Sequence, residues 1–136
     1  MRHRLGNGVD AVVAGQCVGR DETRSFGIID TNPAAPHRAT GILQRPDPAT
    51  VSEPLAVVSR LILRPSILDT LKPTDKAGGE VDLGVAVGEL ASNGFVNAHR
   101  IIGRWVMVGD PARYFDALRT FWEMSHVDLT RHSEDL

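Results

Sequence analysis

The sequence predicts an α/β fold: a mixed β-sheet with flanking helices, built as a single domain over residues 1–136. Three observations predict it. Short apolar runs bounded by Gly, Pro and Asn recur through the first 63 residues, as strands do. Two later segments, 82–93 and 111–127, carry apolar residues at helical spacing. Between them Trp105 to Val108 runs through Gly109, Asp110 and Pro111 into the second, the pattern of a strand feeding a capped helix. A chain of 136 residues can bury one real core and is too short for two ordinary domains.

Residues 1–10 are polar and glycine-rich, and are expected to be flexible. Ala11 to Val18 is a short apolar run and reads as a strand, followed by a charged loop from Gly19 to Arg24. Ser25 to Asp30 reads as a second strand ending in the turn cluster Thr31-Asn32-Pro33, with Arg38 to Gln44 as its hairpin partner. Arg45-Pro46-Asp47-Pro48 ends that partner, because proline removes a ladder donor and restricts the residue before it. Leu55 to Leu63 is nearly unbroken apolar sequence except for Ser59 and Arg60, which predicts the central strand. Pro65 to Leu71 can form two helical turns, closed by Lys72-Pro73.

From Asp82 to Asn93 an apolar stripe of Leu83, Ala86, Val87, Leu90 and Ala91 predicts a helix with Asn93-Gly94 as its stop. Gly84 and Gly88 argue against it by roughly 1 kcal/mol each. Phe95 to Ile101 and Arg104 to Val108 read as two strands hinged at Gly103. In the last helix Tyr114, Phe115, Leu118, Phe121, Trp122 and His126 form a wide stripe, which predicts that these large side chains anchor the core. The polar tail 130–136 is expected to fray.

Composition excludes several function classes. A formal charge of −2 gives no attraction to nucleic acid or to anionic lipid, so neither is an expected partner. The single Cys17 forbids an internal disulfide or a cysteine-clustered zinc site and fits a reducing compartment. No apolar run reaches the ~18 residues of a membrane span, and the N-terminus lacks a signal core. These features place the chain in the cytoplasm. The Walker loop, GxGxxG, HExxH, GxSxG and paired cysteines are all absent. His3, His37 and His99 are isolated, His126 and His132 straddle the tail, and Glu80 with Asp82 suits a helix dipole better than a metal.

The succession FGIID, ILQRP, LAVVSRLIL, GGEVDLGVAV and VGDPARYFDAL resembles the C-terminal half of the bacterial sugar-1-phosphate nucleotidyltransferases, above all the UTP–glucose-1-phosphate uridylyltransferases. The resemblance covers about residues 11 to 125, where family members read YGVV, VEKP, LAIVGRYVL, GGEIQLTDAI and a DxG turn. It implies the C-terminal part of a Rossmann-like nucleotide-diphospho-sugar transferase fold. It also implies kinship to enzymes that join a nucleoside triphosphate to a sugar 1-phosphate, release pyrophosphate and use magnesium.

Carried over by position, the resemblance implies three substrate-binding residues. Gly27 matches the glycine of YGVV, where a missing side chain lets sugar approach the backbone. Gln44 matches a glutamate that accepts hydrogen bonds from sugar hydroxyls, and a glutamine still accepts. Arg45 matches a lysine that faces the sugar phosphate, keeping the charge with a bidentate fork. Met107 stands where the family's magnesium-binding aspartate lies, and Val85 replaces the aspartate of LTD; a thioether does not replace a hard oxygen ligand. The family's GxGTR loop has no counterpart in these residues.

The expectation is therefore a truncated relative, without catalytic residues or cofactor of its own, that takes a sugar phosphate as ligand. The alternative is a non-catalytic binding or assembly module. Sheet edges left open by truncation would pair it with itself or with a full-length relative, through Ala11 to Val18 or Leu55 to Leu63.

Overall fold

The computed structural model describes residues 8–71 and 82–131, with the side chains of 126–131 excepted. The chain divides into two compact units at the Ile102–Gly103 junction. The first is organised around β1 (Ala11–Cys17), whose residues Ala11 to Gly15 are all buried. β1 pairs in antiparallel fashion with β4 (Leu55–Leu63) on one side and in parallel with β5 (Val96–Arg100) on the other. β2 (Gly27–Asn32) and β3 (Ala35–Gln44) form the expected hairpin, turned at Asn32, whose Oδ1 accepts from the Ala34 amide at 2.9 Å. Around the sheet the strand order is β1-β4-β2-β3-β5, parallel only between β1 and β5; because the sheet closes, β4 is no more central than its neighbours, which corrects the expectation of a central strand.

The sheet then closes on itself. β4 meets β2 at Ile28 opposite Ala56, and β3 meets β5 at Arg38 opposite Asn97. Closure was not legible in the strand pattern. It removes the premise of an open edge along β1, since β1 is flanked on both sides. The interruption at Ser59 and Arg60 is a bulge: Val13 pairs with Leu61 and Gly15 with Val57, so three residues of β4 face one of β1. Ser59 takes up the excess with φ of 53°, in the left-handed region.

The core gathers Ala11, Val13, Ile29, Ala39, Leu55, Val96 and Ala98 from the sheet and Ala86, Val87, Leu90 and Ala91 from α2 (Leu83–Ser92). Ile67 joins it from α1 (Ile67–Thr70), a single turn where Pro65 to Leu71 had suggested two. Lys72-Pro73 lies outside the described residues. The expected loop after β1 is a 3-10 turn over Arg20–Ser25, with Thr23 fully buried and its hydroxyl donating to the Arg20 carbonyl at 2.9 Å. The start of the chain is tied down from Val9, which is buried, and Asp10, whose amide donates to the Phe95 carbonyl at 2.8 Å.

The second unit holds α3 (Pro111–Arg131), capped as expected by Asp110, whose Oδ1 accepts from the Arg113 amide at 3.0 Å. Two expectations fail. Arg104 to Val108 is not a strand, since apolar composition alone does not supply the paired backbone that a strand needs. The aromatic stripe of α3 is not core: Tyr114, Phe115, Leu118, Phe121 and Trp122 are all exposed, and Ala117 is buried instead. Helical periodicity shows that one side is apolar, not that anything packs there.

Gly15 marks the tightest point of the core. A Cβ there would lie 2.7 Å from Ile29 Cδ1 and 2.8 Å from Leu55 Cγ. Gly15→Ala should therefore overpack the core and cost about 1–3 kcal/mol. Gly41→Ala, which meets nothing within 4 Å, should stay within about 0.5 kcal/mol of the parent. Urea denaturation of both variants measures the difference, and equal stabilities would show that the interior at Gly15 is loose.

Candidate functional site

The end of the β2–β3 hairpin and the start of α2 come together because α2 lies on β3 through its glycines. A Cβ on Gly88 would stand 3.8 Å from the Ile42 amide nitrogen, and one on Gly84 would stand 3.3 Å from Gln44 Nε2. Gly84 and Gly88 are one turn apart, as Ile42 and Gln44 are one same-face step apart on the strand, so the two elements meet in register. Of the two glycines that weakened the helix prediction, Gly84 is the one where a side chain would crowd Gln44.

Gly27 sits directly across the ladder from Gln44, and a Cβ on Gly27 would lie 3.7 Å from Gln44 Oε1. The Gln44 amide thus lies between Gly27 and the first turn of α2. Arg45 follows with φ of 47°, turning the chain out of β3, while its amide still donates to the Phe26 carbonyl at 3.0 Å. Side chains of Gln44 and Arg45 are exposed, and neither makes a hydrogen bond or ion pair to a described residue. Asp82 caps α2, its Oδ1 accepting from Gly84 N at 2.8 Å and Val85 N at 3.3 Å. Of the three residues singled out from the sequence, Gly27 and Gln44 face each other across the ladder, and Arg45 follows Gln44 with an exposed side chain. Sequence reading missed the part played by Gly84; its spacing from Gly88 was the available signal.

Met107 belongs to the second unit. Its Sδ lies 2.9 Å from Arg113 Nη1, and Arg113 Nε in turn lies 3.4 Å from Asp110 Oδ2. A thioether held by a cation is the wrong donor set for magnesium, which takes hard oxygen ligands. The residues at this position do not fit that ion. Val85, the other substituted aspartate position, is an exposed first-turn residue of α2. Among the described residues no group of three or more His, Cys, Asp or Glu could hold a metal.

At the far end of β1, Cys17 approaches Glu53 Oε1 at 3.7 Å, and Arg100 clasps the same carboxylate through Nε and Nη2. Partial burial, then the Glu53 charge, pushes the Cys17 thiol up from its ordinary value. That is the wrong direction for a nucleophile.

No protein-family model matches the chain. It is 28% identical over 116 residues to a UTP–glucose-1-phosphate uridylyltransferase of Pseudomonas aeruginosa, covering 83% of this chain and 42% of that protein. A second uridylyltransferase, from Bacillus subtilis, is 28% identical over 109 residues, 78% of this chain and 37% of its own length. A solved UDP-glucose pyrophosphorylase without ligand superposes with a TM-score of 0.72 at 21% identity, over 85% of this chain and 44% of that one. The chain is similar to the C-terminal half of the UTP–glucose-1-phosphate uridylyltransferases. It spans less than half the length of these relatives. The UTP-bound enzyme from Acinetobacter baumannii shows the same fold, with a TM-score of 0.68 at 20% identity. Among the described residues no helix is long and apolar enough to cross a membrane.

The cap is the local test of this geometry. Asp82→Ala removes the acceptor for two helix-start amides and should cost about 0.5–2 kcal/mol. Urea denaturation measures it, and an unchanged midpoint would mean that the start of α2 is held by other contacts.

Proposed function

We propose that this chain binds a sugar phosphate at Gly27, Gln44 and Arg45, and that these 136 residues do not by themselves carry out uridylyl transfer. The observation that supports the reading is that the exposed Gln44 amide, which makes no hydrogen bond to a described residue, lies across from Gly27, with Arg45 the next residue in the chain. Gly27 leaves the backbone open to a sugar ring, Gln44 offers both a donor and an acceptor to hydroxyls, and Arg45 suits a phosphate. The relatives supply the ligand class: they are uridylyltransferases of glucose 1-phosphate.

The lack of transfer activity is argued from chemistry. Phosphoryl transfer depends on positioning and on neutralising charge. Met107 provides no hard ligand where the family holds its magnesium aspartate, and no GxGTR loop lies within these residues. The single cysteine is the reason to place the chain in the cytoplasm. A second reading, a non-catalytic assembly module that pairs with itself or with a full-length relative, is favoured by the exposed apolar stripe on α3.

Isothermal titration with glucose 1-phosphate is the test. The expected dissociation constant is about 0.1–1 mM, corresponding to roughly 4–5.5 kcal/mol of binding free energy. Adding magnesium should not change it. Arg45→Ala should weaken binding by about tenfold or more, since a charge-assisted contact of ~1.5–3 kcal/mol is lost. Tight magnesium-dependent binding, or release of pyrophosphate from UTP and glucose 1-phosphate, would overturn the reading, as would no heat at millimolar ligand.

A further inference from the structure

Arg45 holds its backbone in the left-handed region, with φ of 47°, and the residue after it is Pro46. A non-glycine residue is uncommon there, and a residue before proline is steered toward extended conformations. A conformation opposed in both ways lasts only where the surroundings fix it, and such points gather at ligand clamps. The turn itself needs no arginine, since glycine would make it without strain.

Both flanks of this turn are fastened to one short element, the 3-10 turn Arg20–Ser25. On the near side the Arg45 amide donates to the carbonyl of Phe26, the residue that closes the 3-10 turn with its own amide on the Thr23 carbonyl at 3.3 Å. On the far side the Arg20 guanidinium reaches the stretch 48–52. Its Nη1 donates to the Pro48 carbonyl at 3.1 Å and the Val51 carbonyl at 2.6 Å, and its Nη2 to the Ser52 carbonyl at 3.4 Å. Val51 is buried, so the anchor point lies in the interior. The hydroxyl of the fully buried Thr23 donates to the Arg20 carbonyl, which fixes the backbone of the clamp as well. Arg24 adds an ion pair with Asp47 at 3.3 Å, but both side chains are largely exposed and water screens the pair.

We propose that Arg20 is a positioning residue of the sugar-phosphate site. By tying the stretch 48–52 to the 3-10 turn, it keeps Arg45 in the left-handed conformation that sets the direction in which its side chain leaves the end of β3. The inference rests on the reading that Arg45 takes the phosphate. Its guanidinium engaged by three carbonyls, Arg20 acts through Arg45 and not on the ligand. Lysine at position 20 would keep the charge, but a single ammonium does not span three carbonyls as the planar fork does.

Two measurements on the 136-residue chain test it. In the NMR spectrum Arg45 should show the strong intraresidue amide-to-α-proton NOE of a positive φ, and both Arg20→Met and Arg20→Lys should lose it. In isothermal titration with glucose 1-phosphate both variants should bind about tenfold more weakly, approaching the loss of the Arg45 contact itself. Arg60→Met should match the parent in both measurements. It removes an equal charge from an exposed site, where the guanidinium donates to the neighbouring Ser59 carbonyl at 3.2 Å. If Arg20→Met fails to fold, Arg20→Lys carries the test. A lysine variant that binds like the parent would show that only charge matters at position 20, and an Arg45 NOE unchanged in both variants would show that the turn holds itself; either result overturns the inference. Absence of binding by the parent overturns the sugar-phosphate reading, and the NOE then still decides whether Arg20 holds Arg45.

Discussion

The contact on which the rest of the first unit depends is the close approach of α2 to β3 at Gly84 and Gly88. Without side chains there, the helix comes near enough for Ala86, Val87, Leu90 and Ala91 to close the core against Ala39, Val96 and Ala98. The same approach sets the first turn of α2 beside Gln44. A Cβ on Gly88 would meet Ile42 at ordinary contact distance, while one on Gly84 would press on the end of the Gln44 side chain at 3.3 Å, so the tighter of the two contacts is the one beside the candidate site.

Closure of the sheet is the second constraint. β1 has a neighbour on each side, and Gly15 lets the Ile29 and Leu55 side chains reach across it. β5 has β1 on one side and meets β3 at Arg38 opposite Asn97 on the other, and the apolar run at Trp105 to Val108 is not a strand. The closed sheet also satisfies donors and acceptors that an open edge would leave to a partner.

In the second unit, Arg113 places a cation against the Met107 thioether and pairs with Asp110. A divalent cation there would meet a positive charge and a soft donor, both unfavourable. In the sugar-phosphate site proposed for the first unit, Arg45 would supply the positive charge.

The sequence by itself determined the elements whose signals are local. The β2–β3 hairpin followed from a turn at Asn32-Pro33, the strand β4 from a nearly unbroken apolar run, and the caps of α2 and α3 from Asp82 and Asp110. Kinship also lay in the sequence, because five short segments in a fixed order carry more information than any one of them, and with it came Gly27, Gln44 and Arg45. Only the tertiary structure decided which runs found partners. Trp105 to Val108 has the composition of a strand, yet a strand exists only where another backbone offers its donors and acceptors. The stripe on α3 has the period of a buried face, yet burial requires a surface opposite it. Periodicity is a property of one segment and pairing is a property of two, which is why the first could be read along the chain and the second could not.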